Sequence, residues 1–243
     1  MKTLRPLSIV AALALLAASC SIYHPQAVDI PLIDHQGEWR VDASASVSTW
    51  VFVPDATTVG ISASTGITPW LSAQVHANYG GNNNFYLQAA PGVYKRAGEK
   101  AVVEGFLGFG YGSAGYEGNK EGSSSYSYKG TYTLPFGQLN FGWRRLGPVE
   151  LALGIKAGML MPSFERLKFD ADGNELDGQR LSYTTPNTLL EPQLQFRIGS
   201  ENVKFALRLG YAWLSDLDNS NSEGGNGFTH DHLTLSSGLS FSF

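Results

Sequence analysis

The stretch WRVDASASVS, residues 39–48, alternates strictly between apolar and polar side chains. The apolar residues stand at odd positions: Trp39, Val41, Ala43, Ala45 and Val47. The polar residues stand at even positions: Arg40, Asp42, Ser44, Ser46 and Ser48. A period of two places the two sets on opposite faces of a β-strand. The stretch therefore predicts a strand with one apolar face and one polar face.

The same period recurs to the end of the chain. Segments 59–67 and 71–79 repeat it openly, and seven more follow at about 85–95, 101–112, 134–144, 149–161, 189–199, 203–213 and 231–243. Turn residues separate the segments, as expected for consecutive antiparallel strands. Pro91 and Pro192 fall inside two of them, and each predicts a bulge or a strand end because proline lacks the backbone donor.

Alternation alone also suits a soluble sandwich or a lipocalin-like barrel, whose apolar face points inward. Here the polar face is rich in Ser, Gly, Gln and Asn, which fit a narrow lumen. The large aromatic residues group near the strand ends: Trp39, Trp70, Trp143, Phe241 and Phe243 at one end, and Tyr79, Phe85, Tyr111, Tyr211 and Trp213 at the other. Two aromatic girdles are typical of membrane barrels. The sequence predicts an all-β, antiparallel transmembrane β-barrel of ten strands over residues 39–243.

The connections divide into two classes. Short links fall at 68–70, 96–100, 145–148 and 199–202, and long ones at 113–133, 162–188 and 214–230. Transmembrane barrels have short periplasmic turns and longer outer loops. We therefore expect all long loops on the outer side and both chain ends of the barrel on the periplasmic side.

The first residues predict export. Lys2 and Arg5 precede a run from 7 to 18 that is apolar except for Ser8, which is typical of a signal peptide over 1–19. This run is shorter than the roughly 20 residues that a membrane helix needs. Cys20, the one cysteine of the chain, follows small residues and is predicted to be lipidated. The alternative is ordinary cleavage beside an incidental cysteine. Residues 20–38 would form an N-terminal extension.

The charge balance argues against a nucleic-acid partner. Without Lys2 and Arg5, 15 basic residues face 21 acidic ones, for a net charge of −6. We expect no cofactor and no metal, and the predicted surroundings of the barrel are outer-membrane lipid.

The extension and the first hairpin resemble uncharacterised outer-membrane β-barrel lipoproteins of Bacteroidetes-type bacteria. The resemblance is carried by Tyr23, Pro25, Pro31-Leu32-Ile33, Gly37-Glu38 and Gly66-Ile67-Thr68-Pro69-Trp70. It implies an outer-membrane address in a Gram-negative bacterium, and no reaction. Phe241 and Phe243 resemble the C-terminal signal by which such barrels reach their insertion machinery. Residues 21–23 lack the acidic run of surface-exposed lipoproteins in that group, which favours a periplasmic anchor.

One cluster has the composition of a catalytic or metal site. His230-Asp231-His232 follows a loop that contains Asp216, Asp218 and Glu223, and histidines with carboxylates can bind a metal or polarise a water. The alternative is a solvated, polar loop base. Adjacent strand residues point to opposite faces, so Asp231 is not expected to join both histidines.

A second loop resembles half of a calcium site through Asp170, Asp172, Asn174, Glu175 and Asp177. A complete EF-hand loop has Gly at the sixth position and Glu at the twelfth, and neither is present. A tight turn at 172–174 is the favoured interpretation.

Counted by parity, charged residues of both signs point into the lumen: Arg40, Asp42, His76, Glu104, Arg144, Glu150, Lys156, Glu191, Arg197, Lys204 and Arg208. Mixed signs favour an internal network, with Glu150 facing Arg197 across two strands and Lys204 joining them. The glycines at 105, 108, 110, 112 and 115 precede no helix and predict no nucleotide site. Tyr116, Tyr126, Tyr128 and Tyr132 could form a ligand-binding patch or extend the hairpin above the outer girdle.

These features leave three function classes. The favoured one is a non-enzymatic membrane anchor or interaction module, with loops 113–133 and 162–188 as the contact surface. The alternative is a narrow solute channel, since ten strands lie near the closed end of the range of barrel sizes. An outer-membrane hydrolase depends on the cluster at 230–232 alone.

Overall fold

The computed structural model describes residues 22–26, 30–50, 53–80, 84–117, 125–170, 174–176, 180–215, 217, 228 and 230–243. The predicted signal peptide and Cys20 lie outside these ranges. Within them, no helix is long and apolar enough to cross a membrane.

Twelve strands account for most of this part of the chain. They are β1 (Trp39–Trp50), β2 (Val53–Gly66), β3 (Leu71–Gly80), β4 (Phe85–Ala97), β5 (Ala101–Glu117), β6 (Ser125–Leu146), β7 (Val149–Phe169), β8 (Leu181–Tyr183), β9 (Asn187–Gly199), β10 (Val203–Tyr211), β11 (Trp213–Leu214) and β12 (Leu233–Ser242).

Ten of these strands form a closed antiparallel barrel. Each pairs with the next, β7 pairs directly with β9, and β12 pairs with both β10 and β1. The short strand β8 lies against the far end of β7, and β11 continues the line of β10 along β9. Closure removes the free edges that an open sheet would expose. The predicted all-β barrel of ten strands is confirmed.

The two faces of the barrel follow the predicted parity. On β3, Ser72, Gln74 and His76 are buried, whereas Val75 is 48% exposed. The exposed large hydrophobic residues recur on every barrel strand, and the predicted aromatic residues lie at the two ends of this apolar band. A band of this kind on the outer wall is what lipid requires.

Two of the predicted long loops, 113–133 and 162–188, are shorter than expected, and most of the third, 214–230, lies outside the described residues. β5 continues to Glu117 and β6 begins at Ser125, so most of 113–133 is hairpin, and β7 continues to Phe169. These extensions were missed because their outer faces lack the continuous apolar residues that lipid selects in the membrane. We call the end of the barrel with these hairpins the loop end, and the other the short-turn end.

Neither proline produces a bulge. The register of β4 with β5 is the same on both sides of Pro91, and β7 pairs with β9 through Pro192 without a shift. Opposite Pro192, however, β10 ends at Tyr211, and pairing with β9 resumes at Trp213 in the same register. The expected bulge or strand end was therefore wrong for β4 and β9 themselves, and the missing donor of Pro192 coincides with a strand end on the neighbouring strand β10.

Candidate functional site

The inside of the barrel is occupied by the chain's own N-terminal residues. Residues 22–26 and 30–38, which we call the luminal segment, lie within the ring of strands as far as Asp34 and then turn at the rim through the exposed residues 35–37. Ile22, Tyr23, Ile30, Leu32 and Ile33 are fully buried there. In a barrel whose inner wall is largely polar, these apolar side chains fill space that water would otherwise take.

The luminal segment runs along the barrel from the loop end to the short-turn end. At the loop end, the Asp231 amide, just before β12, donates to the Tyr23 carbonyl at 3.0 Å. At the short-turn end, Nη1 of Arg144 donates to the Leu32 carbonyl at 2.8 Å. The chain then turns and enters β1 at Trp39.

Two tight bends account for motif residues of the extension. Leu32 has a φ of 54° and Gly37 a φ of 81°, both in the left-handed region. Such a φ is easy for glycine and costs of order 1–3 kcal/mol for leucine, so the surroundings must hold Leu32 in place. The Gly37 amide donates to the Gly66 carbonyl at 2.8 Å, and a side chain on Gly66 would overlap the His35 carbonyl. Close approach of the two segments thus requires glycine at 66, and the positive φ favours glycine at 37.

The backbone of the luminal segment finds its hydrogen bonds on wall side chains. Gln195 donates to the Ile30 carbonyl at 2.7 Å and accepts from the Ile30 amide at 3.2 Å. Arg197 Nη2 donates to the same carbonyl at 2.9 Å, and Glu104 accepts from the Ile33 amide at 2.7 Å. Buried backbone groups need such partners, and no ladder supplies them here. The wall is therefore complementary to an extended chain.

A charged network closes the short-turn end. Glu150 accepts two hydrogen bonds from Arg40, at 2.9 and 3.1 Å, and one from Arg197 at 3.2 Å. Lys204 Nζ lies 3.8 Å from the same carboxylate, and Arg40 Nε donates to Glu38 at 3.0 Å. Glu150 and Arg197 are directly opposite in the β7–β9 register. We call these five residues the basal network; sequence parity brought Glu150, Arg197 and Lys204 together but gave no reason to add Glu38 of the extension.

Beside this network, Asp34, His35 and Glu38 place three potential ligand atoms within 4.8 Å of one another. Arg144 already pairs with both carboxylates, at 3.3 Å from Asp34 and 2.9 Å from Glu38. The arginines here serve as counter-ions to the acids. The arrangement therefore joins the luminal segment to the wall by ion pairs.

An aromatic layer lies above the network. The Tyr23 hydroxyl donates to Glu191 at 2.9 Å, and its ring meets the edge of Tyr132 at 5.6 Å between centroids. Tyr132 stacks on Tyr86 at 6.1 Å, and Lys156 faces Glu191 in the β7–β9 register. Tyr23 is thus held by a carboxylate and by the ring of Tyr132, which in turn packs on Tyr86.

Glycines of β5 make room for this layer. A Cβ on Gly110 would overlap the Tyr86 ring, and one on Gly112 would overlap the Tyr132 ring. The glycine run therefore serves aromatic packing within the barrel, which is consistent with the prediction that it is no nucleotide site.

An apolar cap fills the loop end of the lumen. Tyr128 lies 6.5 Å from Phe164, Phe164 lies 6.5 Å from Phe228, and Phe228 stacks on Tyr183 at 5.4 Å, all between ring centroids. All four side chains are buried. The lumen is therefore filled by ion pairs at one end and by aromatic packing at the other.

The burial of Tyr128 and Tyr132 argues against a ligand-binding patch, one of the two alternatives that the sequence left open for the tyrosines. Tyr128 and Tyr132 point into the barrel and are each 4% exposed, so they offer no outer surface to a ligand. The side chains of Tyr116 and Tyr126 lie outside the described residues. Parity within the extended hairpin explains the inward direction of Tyr128 and Tyr132.

The histidine cluster assembles differently from the prediction. Asp231 Oδ2 lies 2.5 Å from His24 Nδ1 and accepts from the Ser48 hydroxyl at 2.5 Å, and that hydroxyl is 3.2 Å from the same nitrogen. In a hydrolytic relay the imidazole lies between the two other groups: the nucleophile contacts one ring nitrogen and the carboxylate contacts the other. Here serine and aspartate share Nδ1, so the three groups do not form that relay.

The two histidines that flank Asp231 do lie together. The rings of His230 and His232 are 4.4 Å apart at 67°, and His232 stacks on Tyr211 at 5.8 Å. His230 and Asp231 are both buried because β12 begins only at Leu233, so the expected alternation between faces was wrong there. Asp216, Asp218 and Glu223 lie outside the described residues.

The calcium-like loop is a hairpin turn. Asp170 Oδ1 accepts from the Asn174 amide at 2.8 Å, and the Asp170 amide donates to the Asn174 carbonyl at 2.9 Å. Phe169 and Glu175 form a β-bridge beneath the turn. Asp170 and Asn174 thus close the base of a hairpin; most of the expected turn at 172–174, and Asp177, lie outside the described residues.

Sequence reasoning missed the luminal segment altogether. A signal was present, because Ile22, Tyr23, Ile30, Leu32 and Ile33 are unusually apolar for an extension exposed to water. Such residues need a surface to cover them, and the inside of the barrel supplies it.

No family model and no curated protein matches the chain. Among solved structures, the outer membrane protease OmpT from Escherichia coli superposes with a TM-score of 0.58 at 12% identity, over 85% of this chain and 97% of that one. Neisserial surface protein A, with 12% identity over 85% and 96% of the two chains, gives a TM-score of only 0.32. At these identities the likeness concerns the fold alone. The chain has the fold of outer-membrane β-barrel proteins.

Proposed function

We propose that the protein is an outer-membrane lipoprotein of a Gram-negative bacterium whose barrel is a non-enzymatic anchor and interaction module. The observation that carries this proposal is the occupied lumen. A barrel that is filled by its own N-terminal residues leaves little space in its lumen for a solute. Other molecules would then bind at its loop end.

The hairpins at the loop end supply the contact surface. β5 continues six residues beyond Tyr111 of the outer girdle, to Glu117, and β6 and β7 lengthen with it. At about 3.3 Å per residue, six residues add roughly 20 Å of strand. We propose an extracellular or envelope partner for these hairpins.

The lipoprotein assignment is supported by the sequence alone, through the signal-peptide pattern and Cys20. The motifs shared with Bacteroidetes-type barrel lipoproteins support it further, and the bends at Leu32 and Gly37 give those motifs a structural use. Phe241 and Phe243 fit delivery by the barrel insertion machinery.

A hydrolase is less favoured because His24, Ser48 and Asp231 meet at a single ring nitrogen, without the geometry of a nucleophilic relay. The likeness to OmpT is one of fold and does not extend to its activity.

Conductance across a planar bilayer separates the anchor from the channel. We expect the purified full-length mature protein to give no stepwise ion currents, because the basal network, the aromatic layer and the apolar cap fill the lumen in series. A variant that lacks residues 22–33 removes most of the luminal segment and serves as the control, with currents expected. Stepwise currents from the unaltered protein would contradict the anchor and favour the narrow solute channel.

A further inference from the structure

The direction of the luminal segment determines where the N-terminus leaves the barrel. Ile22 lies in a small recess with Thr58, Phe85 and Ser113. Thr58 pairs near the loop end of the β2–β3 ladder, and Phe85 pairs with Ser113 at the loop end of β4 and β5. The first described residue is therefore at the opposite end of the barrel from Trp39, where β1 begins.

The contacts of residues 23 and 24 place this part of the segment independently. The Tyr23 carbonyl accepts from the Asp231 amide, and His24 contacts Ser48, which pairs with Thr234 at the loop end of the β1–β12 ladder. Four wall strands thus agree on the position of residues 22–24. From there the segment descends once to the bend at Leu32 and the turn at Gly37.

We infer that the lipid on Cys20 is attached at the loop end, so that acyl chains and long hairpins belong to the same face of the membrane. This inference rests on the proposed lipoprotein. It is opposite to the periplasmic anchor expected from residues 21–23, because that expectation took the extension to start beside β1.

The short distance in sequence between Cys20 and Ile22 limits where the lipid can lie. From Trp39 to Ser48 the strand rises about 30 Å along its axis, or roughly 23 Å of membrane height at a tilt of about 40°. Two residues span at most about 7 Å of extended chain. A lipid on Cys20, two residues before Ile22, therefore cannot reach the short-turn rim while the luminal segment keeps its contacts.

The acyl chains would insert into the membrane leaflet at the loop end. This leaflet lies beside Tyr79, Tyr111, Tyr211 and Trp213. All four side chains are exposed at the loop end of the apolar band. Anchor and girdle would then hold the same rim of the barrel, and a partner at the hairpins would also meet the lipidated end.

Accessibility of three tags on intact cells tests the inference. One epitope is inserted between Ser21 and Ile22, one at Gly173, between Asp170 and Asn174 in the sequence, and one at Gly98 in the β4–β5 turn. We expect the first two to be stained alike, before or after permeabilisation, and the third to behave oppositely. Comparison between tags makes the result independent of how the barrel is oriented.

Staining of the Ser21 tag together with the Gly98 tag would overturn the inference. A second chain carries the Ser21 epitope together with Cys20→Ala and tests whether the result depends on the lipid. If the luminal segment keeps its place, this epitope is again expected to be stained under the same conditions as the Gly173 epitope. Mass spectrometry of the membrane-extracted protein should find a diacyl- or triacyl-glyceryl group on Cys20. Its absence would overturn the lipid assignment and the proposed lipoprotein, while the tags would still decide the exit side.

Discussion

Replacing Glu150 with alanine is expected to lower the free energy of unfolding by about 3–5 kcal/mol, because two buried arginines lose the carboxylate that they share and keep only Glu38 and Asp42 as partial counter-ions. Glu150 accepts from Arg40 and Arg197, whose side chains are fully buried. The loss should appear as a lower urea midpoint for the barrel in detergent micelles, with an unchanged slope.

The matched control is Glu175→Ala in the exposed hairpin. Glu175 lies 3.9 Å from Arg180, and both side chains are about half exposed. Exposed pairs contribute about 0–1 kcal/mol, so the urea midpoint should barely move. Equal effects of the two substitutions would refute a buried basal network.

Arginine at Val75 is expected to destabilise the barrel by about 2–4 kcal/mol, because the side chain would enter the hydrocarbon near the middle of the membrane. Val75 is 48% exposed on the outer wall and pairs with Ala63 in the middle of the β2–β3 ladder. Unfolding by urea in phospholipid vesicles measures the change.

Ile67→Arg is the control for depth. Ile67 is equally exposed, at 48%, but it lies just beyond β2 at the short-turn end. Near an interface the cost falls to about 0–1 kcal/mol. A greater cost at Ile67 than at Val75 would mean that the exposed apolar band does not face lipid as described.

The barrel could be predicted from sequence because its wall obeys a local rule. Side chains of a strand alternate, and lipid and lumen select opposite chemistry, so residues 39–48 already display both faces. The same rule placed Glu150 and Arg197 on the lumen side. The hairpin extensions were missed because beyond the membrane the outer face meets water and is no longer selected to be apolar.

The content of the lumen could not be predicted in this way. Whether residues 22–38 lie inside or outside the barrel depends on contacts over more than 160 positions, such as Tyr23 with Glu191 and Ile30 with Gln195. No local period encodes them. The histidine cluster failed for a related reason, since His24 approaches Asp231 only because the luminal segment brings it there.

Cross-linking of two introduced thiols tests most directly whether the N-terminal residues fill the barrel. In a chain with Cys20→Ala, His24→Cys and Ser48→Cys place two thiols where the native side-chain atoms are 3.2 Å apart. Ile33→Cys with Ser48→Cys is the control, since Ile33 contacts Glu104 towards the short-turn end. With a short bifunctional thiol reagent, the folded protein should give an intramolecular cross-link between positions 24 and 48 and none between 33 and 48. No cross-link at 24 and 48, or equal yields for both pairs, would contradict the occupied lumen.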